Sequence, residues 1–151
     1  MTTLVRRYLH TAIGFLIVGR VLGGVTLARR ELADVYPSPY LVSAHTHAIL
    51  VGFVMLMILG VALWMFPRPP KDDVRYSPRV AQVTYWLVTV GTAGRVAAEL
   101  LRTINSEPWL RWTTVWCGFA QIAGLVLFFY NMRSRIRGVG SQSREENGER
   151  F

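Results

Sequence analysis

Cysteine and acidic residues are scarce in this sequence of 151 residues. Cys117 is the single cysteine, so the chain cannot form an internal disulfide in any compartment. Nine acidic residues stand against 17 lysines and arginines, which gives a formal charge of +8. The sequence also lacks a glycine-rich phosphate loop and the Gly-x-Ser-x-Gly motif of hydrolases. We therefore do not expect nucleotide-driven or hydrolytic chemistry.

Apolar residues make up 52% of the chain and fall into four long blocks. The blocks cover 8–27, 40–66, 80–101 and 109–132, and the second carries no charge between 48 and 66. A helix needs ~20 apolar residues to cross the ~30 Å hydrocarbon core of a bilayer. Because lipid offers the backbone no hydrogen-bond partners, each block should be a helix.

The predicted architecture is an all-α membrane protein, specifically a four-transmembrane-helix bundle. We place its helices at about 8–28, 39–66, 79–102 and 108–132, within one domain that covers 1–133. The remaining stretch, 134–151, is polar and poor in apolar residues, so we predict a disordered tail.

Basic residues flank the apolar blocks, which argues against a nucleic-acid-binding surface. Eleven lie beside the termini and the connector between the second and third blocks: Arg6, Arg7, Arg68, Lys71, Arg75, Arg79, Arg133, Arg135, Arg137, Arg144 and Arg150. Four lie beside the other connectors: Arg29, Arg30, Arg102 and Arg111. By the positive-inside rule both termini face the cytoplasm. We predict a multi-pass protein of the cytoplasmic (inner) membrane that meets lipid and not nucleic acid.

Ionisable residues inside the apolar blocks are the first candidates for a functional site. They are His10, Arg20, His45, His47, Arg95 and Glu99. A charge at the bilayer centre costs roughly 3 kcal/mol on insertion scales, so each of these residues needs a structural or functional explanation. With a rise of ~1.5 Å per residue, all except His10 fall in one layer near the outer helix ends.

Two interpretations of this layer are open. In one, Arg20 and Arg95 extend to the outer headgroups while Glu99 pairs with Arg95 one turn away. In the other, the two arginines bind an anionic cofactor group, and haem propionates would suit them because guanidinium holds a carboxylate in a bidentate fork.

The His45-Thr46-His47 segment predicts a metal or haem ligand. Neutral imidazole is a common ligand of haem iron, copper and zinc. Two residues at this spacing project about 200° apart on a helix, so both histidines cannot face one metal without distortion. One of them is expected to bind a cofactor inside the bundle, while the other meets a neighbouring helix or a second protomer.

The segment SPYLVSAHTHAILVGFVMLMILGVALWMFPRP, residues 38–69, resembles the second transmembrane helix of subunit I of the haem–copper oxidases, a superfamily that includes nitric oxide reductases. In that family a small or aliphatic residue precedes a histidine that ligates the low-spin haem, and a proline ends the helix. His45 falls on the ligand position, whereas His47 falls where many members carry another residue, often Asn. The resemblance extends more weakly over about the first hundred residues, from the Arg6-Arg7-Tyr8 entry onward.

What the resemblance implies is limited by what the chain lacks. Full-length subunit I has many more helices, and these carry its copper ligands and its other haem-binding histidines. Oxygen reduction at a binuclear centre is therefore not expected. The implied function is a membrane haem b protein that transfers electrons or binds a diatomic gas, oxygen or nitric oxide, as a possible oxidoreductase component.

Three alternatives or additions stay open at this point. Copper binding is possible because His45, His47, Met55, Met57 and Cys117 are acceptable ligands for Cu(I), although the methionines lie ~12 to 18 Å further along the helix. A cofactor-free structural subunit of a respiratory complex is the second. In the third, the protein is a homo-oligomer with haem near the protomer interface, where His47 of one copy reaches the site of its partner. The protein is also expected to interact with an unidentified redox partner or gas.

Overall fold

The computed structural model describes residues 2–67, 76–136 and 148, and the regular structure in these ranges is entirely helical. The elements are α1 (Thr3–Ala33), α2 (Pro39–His47), a π-helical segment (Ala48–Met55), α3 (Leu56–Met65), α4 (Pro78–Leu101) and α5 (Pro108–Met132). We call the continuous stretch Pro39–Met65 the second rod, since α2, the π-helical segment and α3 form one helix. The all-helical prediction is confirmed for this part of the chain.

The second rod, α4 and α5 each begin at a proline. Pro39, Pro78 and Pro108 occupy first-turn positions, where the missing N–H would have no helical partner in any case. Ser38 adds a cap, because its hydroxyl oxygen accepts a hydrogen bond from Leu41 N at 3.3 Å. Helix α1 begins five residues before and ends five residues after the predicted 8–28, since its charged ends continue the helix beyond the apolar run.

Among the described residues, three helical stretches are long and apolar enough to cross a membrane: Thr3–Ala33, the second rod and Pro108–Met132. The chain is therefore a multi-pass integral membrane protein. Helix α4 has sufficient length, but Arg79, Arg95 and Glu99 lower its hydropathy. The fourth span and the cytoplasmic position of the termini stay predictions.

Helix α1 and the second rod pack antiparallel through glycines that let the backbones approach closely. A Cβ at Gly60 would lie 2.9 Å from Tyr8 Cβ, and a Cβ at Gly52 would collide with the Phe15 ring. Further along, Gly19 faces Ile49 and Gly23 faces His45 in the same way. This series of contacts fixes the depth at which His45 meets α1.

Helices α4 and α5 form an antiparallel hairpin held by polar contacts. The Asn131 side chain donates to Ser77 O at 3.0 Å and accepts from Ser77 N at 2.8 Å. Midway along the pair, Gln121 Nε2 donates to Thr92 Oγ1 at 3.1 Å. Both residues of that pair are buried, so the bond has to form within the helix interface.

The main core lies at the end of the bundle that holds the start of α1. Its largest fully buried members include Tyr8, Leu56, Leu59, Val88 and Phe128. Tyr8 Oη donates to Ala81 O at 3.0 Å, which satisfies the hydroxyl and ties α1 to the first turn of α4. The opposite end, which holds His45, is more open, because no residue of α1 beyond Gly19 is buried.

Arg135 closes the core end. Its guanidinium donates to the carbonyl oxygens of Leu63, Phe66 and Pro67 at 3.1, 2.8 and 2.9 Å. Carbonyls at a helix C-terminus have no helical partner, so this side chain caps α3 from a distant part of the chain. Ser134 and Arg135 are buried, although they lie in the predicted tail. Positions 137–147 and 149–151 of that tail, and the predicted connector residues Arg68, Lys71 and Arg75, lie outside the described residues.

Replacing Arg135 by Ala should lower the free energy of unfolding by about 1.5–3 kcal/mol, the range for hydrogen bonds to a charged donor. Arg133→Ala is the matched control, because Arg133 is exposed and stacks 3.9 Å from the Tyr130 ring, a contact of ~0.5–1 kcal/mol. Circular dichroism during titration with sodium dodecyl sulfate would measure the free energy of unfolding of both variants. Equal losses in the two variants would contradict the capping role.

Candidate functional site

His45 is oriented by the backbone of α1. Its Nδ1 lies 2.8 Å from Gly19 O. A carbonyl oxygen can only accept a hydrogen bond, so Nδ1 carries the proton and the neutral ring has its lone pair on Nε2. No described residue forms a hydrogen bond with Nε2. A histidine whose Nδ1–H is held by a carbonyl is in the form that metals bind.

A cavity of about 240 Å³ adjoins His45 between α1 and the start of α2. Its lining is largely apolar, with one hydroxyl and one guanidinium. The residues are Gly23, Thr26, Leu27, Arg30, Pro37, Val42 and His45. Arg30 pairs with the exposed Glu31 at 2.7 Å. Exposed pairs contribute ~0–1 kcal/mol, so this contact leaves Arg30 able to exchange its partner.

Gly23 provides the surface on which the His45 ring lies. A Cβ at this position would come within 2.8 Å of His45 Cε1 and 3.5 Å of its Nε2. The neighbouring Gly24 has open space, with nothing within 4 Å of a Cβ. The two adjacent glycines therefore differ sharply in what a side chain would displace.

A second polar group lies on the opposite face of the second rod, where α2 meets α4. Glu99 is 3% exposed, and its Oε1 accepts from Ser43 Oγ at 2.8 Å and from Arg95 Nε at 3.0 Å. His47 Nδ1 donates to Ser43 O at 2.9 Å and lies 3.8 Å from Glu99 Oε2. We call Ser43, His47, Arg95 and Glu99 the Glu99 cluster.

The predicted layer of ionisable residues thus divides into two groups. His45 faces α1 while His47 faces α4, as their separation of about 200° requires. Arg95 pairs with Glu99 and does not line the cavity beside His45. Arg20 is exposed and belongs to neither group. The two predicted propionate-binding arginines therefore do not converge on one site.

The other candidate ligands lie apart from these groups. His10 is exposed and sits near the core end of α1. Cys117 packs between α5 and α4, with its Sγ 2.7 Å from a Cβ built on Gly94. Within residues 2–67 and 76–136, no three His, Cys, Asp or Glu side chains come together to hold a metal ion.

Comparison with known proteins identifies the relationship that this geometry suggests. The family model for "Cytochrome C and Quinol oxidase polypeptide I" matches residues 3–141. The chain belongs to this family. The cytochrome c oxidase subunit 1 of Eremothecium gossypii is 32% identical to it over 79 residues, which is 52% of this chain and 14% of the relative. No solved structure matches the chain significantly.

The predicted resemblance to subunit I of the oxidases is confirmed, and the family match extends beyond the first hundred residues into α5. The matched part of the curated subunit I is about one seventh of its length. Membership in the family therefore does not transfer the activity of the whole oxidase subunit.

Sequence reasoning missed four residues of these two groups. Gly19 and Gly23 form a small-xxx-small pair, a spacing that marks close helix packing in membranes and could have indicated where His45 packs. Arg30 follows Gly23 by seven residues, or two turns, so it shares the same helix face. Ser43 carried no signal, because its partner Glu99 is distant in sequence.

Proposed function

We propose that the protein is a membrane haem b protein in which His45 is an axial ligand, and that it transfers single electrons or binds oxygen or nitric oxide. The observation that carries the proposal is the His45 tautomer, fixed by Gly19 O, with Nε2 left for a ligand beside a cavity. The family match supports the same proposal, because the segment around His45 resembles the helix of subunit I that carries a ligand of the low-spin haem.

The residues around the cavity suit a porphyrin. The walls are apolar on both helices, and Arg30 supplies a cation for a carboxylate at the polar end. Arg30 is better placed for this role than Arg20 or Arg95. At about 240 Å³ the cavity is smaller than the ~300–1,000 Å³ of pockets that enclose drug-sized ligands, so this chain alone covers only part of a porphyrin.

The protein residues would hold and tune the cofactor. The hydrogen bond from His45 Nδ1 to Gly19 O fixes the ring and raises its basicity as a ligand. Apolar side chains such as Leu27 and Val42 keep water from the cavity. A bound haem would supply one-electron or gas-binding chemistry at its iron.

The proposal places the site in the inner membrane with α4 as a fourth span and both termini in the cytoplasm. Helix α4 follows α5 from Ser77, beside Asn131, to Gly94, beside Cys117. Such pairing along a spanning partner supports a span of its own. Arg6 and Arg7 lie at the core end of α1 and support a cytoplasmic position for that end.

The deciding experiment is purification in detergent from haem-replete cells. We expect a coloured protein with a Soret band that shifts on reduction by dithionite, and a pyridine haemochrome spectrum of the b type. Elemental analysis runs in parallel. A colourless protein with stoichiometric copper would replace this function with copper binding. A cofactor-free protein that co-purifies with a respiratory complex would replace it with a structural role.

Replacing Gly23 by Val should strongly weaken haem retention, because the new side chain occupies the place of the His45 ring. Misplacement of an outer-shell partner of a ligand typically costs ~10–100-fold in affinity, and direct displacement of the ring should reach at least the upper part of that range. Gly24→Val is the matched control, with the same change in helix propensity and no neighbour within 4 Å. The rate of haem transfer to apomyoglobin would measure haem retention in both variants. Equal loss from the two variants would contradict the predicted effect of the contact between Gly23 and His45.

A further inference from the structure

We propose that two copies of this chain share one haem, with His45 of each copy on opposite faces of the porphyrin. The inference rests on the electron-transfer form of the proposed haem function, because two imidazoles leave the iron no position for a gas, and it goes beyond that function by naming the partner and the stoichiometry. Its starting point is a cavity that offers one ligating side chain, His45, among seven lining residues.

The described part of the chain has no second ligand within reach of this cavity. His47 is turned to the opposite face of the second rod and is held by Ser43 and Glu99. His10 precedes Gly23 by thirteen residues on α1, a distance of ~20 Å along the helix axis. Met55 lies ten residues beyond His45, or ~15 Å.

The open side of the cavity is a surface of α1 that no other described residue covers. None of the residues of α1 after Gly19 is buried. The lining residues Gly23, Thr26, Leu27 and Arg30 follow one helix face. A glycine at such a face lets a flat ligand come close to the helix backbone, which suits a porphyrin held between two copies of α1.

Two-fold symmetry supplies what the single copy lacks. Copies with the same orientation in a membrane are related by an axis along the membrane normal, and an isologous contact presents the same patch twice. The partner's His45 then provides the second imidazole. Arg30 is also doubled, and two guanidinium groups match the two propionates on one edge of a haem in number and charge.

The depth of Arg30 agrees with this arrangement. It lies seven residues beyond Gly23, which is ~10 Å further toward the loop between α1 and α2. The propionate edge of a haem ligated by His45 would thus point to the polar end of the cavity. The remaining edge would lie between apolar side chains of both copies.

The test uses the intact protein in detergent. We expect native mass spectrometry to show two chains with one haem, and absorbance to show a six-coordinate, low-spin spectrum at one haem for every two chains. One haem per chain, or a monomer with a six-coordinate spectrum, would overturn shared ligation and leave the proposed function standing. A wild type without haem would overturn both.

A mixed dimer tests the ligand directly. One wild-type copy and one His45→Ala copy, with different tags, are co-expressed and isolated through both tags. We expect a five-coordinate, high-spin haem that returns to low spin when imidazole is added. An unchanged low-spin spectrum, or no mixed dimer with haem, would overturn the proposal.

Arg30→Gln should release haem roughly tenfold faster than wild type, as expected for the loss of an outer-shell partner. The neighbouring Arg29→Gln is the control, because Arg29 does not line the cavity. Equal rates of haem release from both variants would show that the Arg30 side chains of the two copies do not hold the haem.

Discussion

His45→Ala is expected to abolish the haem absorbance of the purified protein. The substitution removes the single imidazole that lines the cavity, and no described neighbour can replace it. The His45 side chain is only partly buried, so helicity measured by circular dichroism should persist. Added imidazole should restore part of the Soret band by entering the space that the side chain leaves.

Two matched histidine variants make this result specific. His47→Ala should keep the Soret band, because His47 faces Glu99 on the other side of the second rod. His10→Ala should also keep it, since His10 is exposed near the core end. Loss of colour in His47→Ala with retention in His45→Ala would exchange the roles of the two histidines.

Glu99→Leu should produce the largest loss of stability in the membrane domain. The substitution leaves the largely buried Arg95 cation without its carboxylate. Removing one partner of a buried pair costs ~3–5 kcal/mol. A quarter of the Arg95 side chain is exposed, so we expect about 3 kcal/mol, at the lower end of that range.

A double-mutant cycle separates the pair from its surroundings. Arg95→Leu together with Glu99→Leu should recover most of the loss, because apolar residues replace a buried ion pair at little net cost. Glu31→Leu is the exposed control, with an expected change of ~0–1 kcal/mol. Titration with sodium dodecyl sulfate would measure each variant. Additive losses for Arg95 and Glu99 would show that the two side chains do not interact.

Sequence reasoning was strongest where the chain repeats a simple periodic or family pattern. Apolar blocks predict the helices, and the family pattern around His45 predicts a haem ligand there without any contact information. The spacing of two residues also predicts that His45 and His47 lie on different faces, which the structure shows. The spacing does not indicate which helix each histidine faces, because the packing of α1 and α4 around the second rod decides this.

The remaining features depend on contacts between distant residues. Ser43 and Glu99 are separated by 56 positions, and neither local sequence contains a pattern that predicts their hydrogen bond. The π-helical segment Ala48–Met55 is uniformly apolar, so its composition does not distinguish it from an α-helix. Such segments are frequent at functional sites, and this one begins directly after His47.

The cap that Arg135 forms on α3 has a consequence for biosynthesis. The three carbonyls at Leu63, Phe66 and Pro67 are made first, and their donor follows 68 to 72 residues later. At ~5–20 residues per second, the ribosome needs about 4–14 s to supply it. During that interval the end of α3 depends on water or lipid headgroups for its hydrogen bonds. Insertion of α5 is therefore the event that allows the end of the second rod to be capped. In a chain truncated before Arg135, the carbonyls at the end of α3 would lack this hydrogen-bond donor.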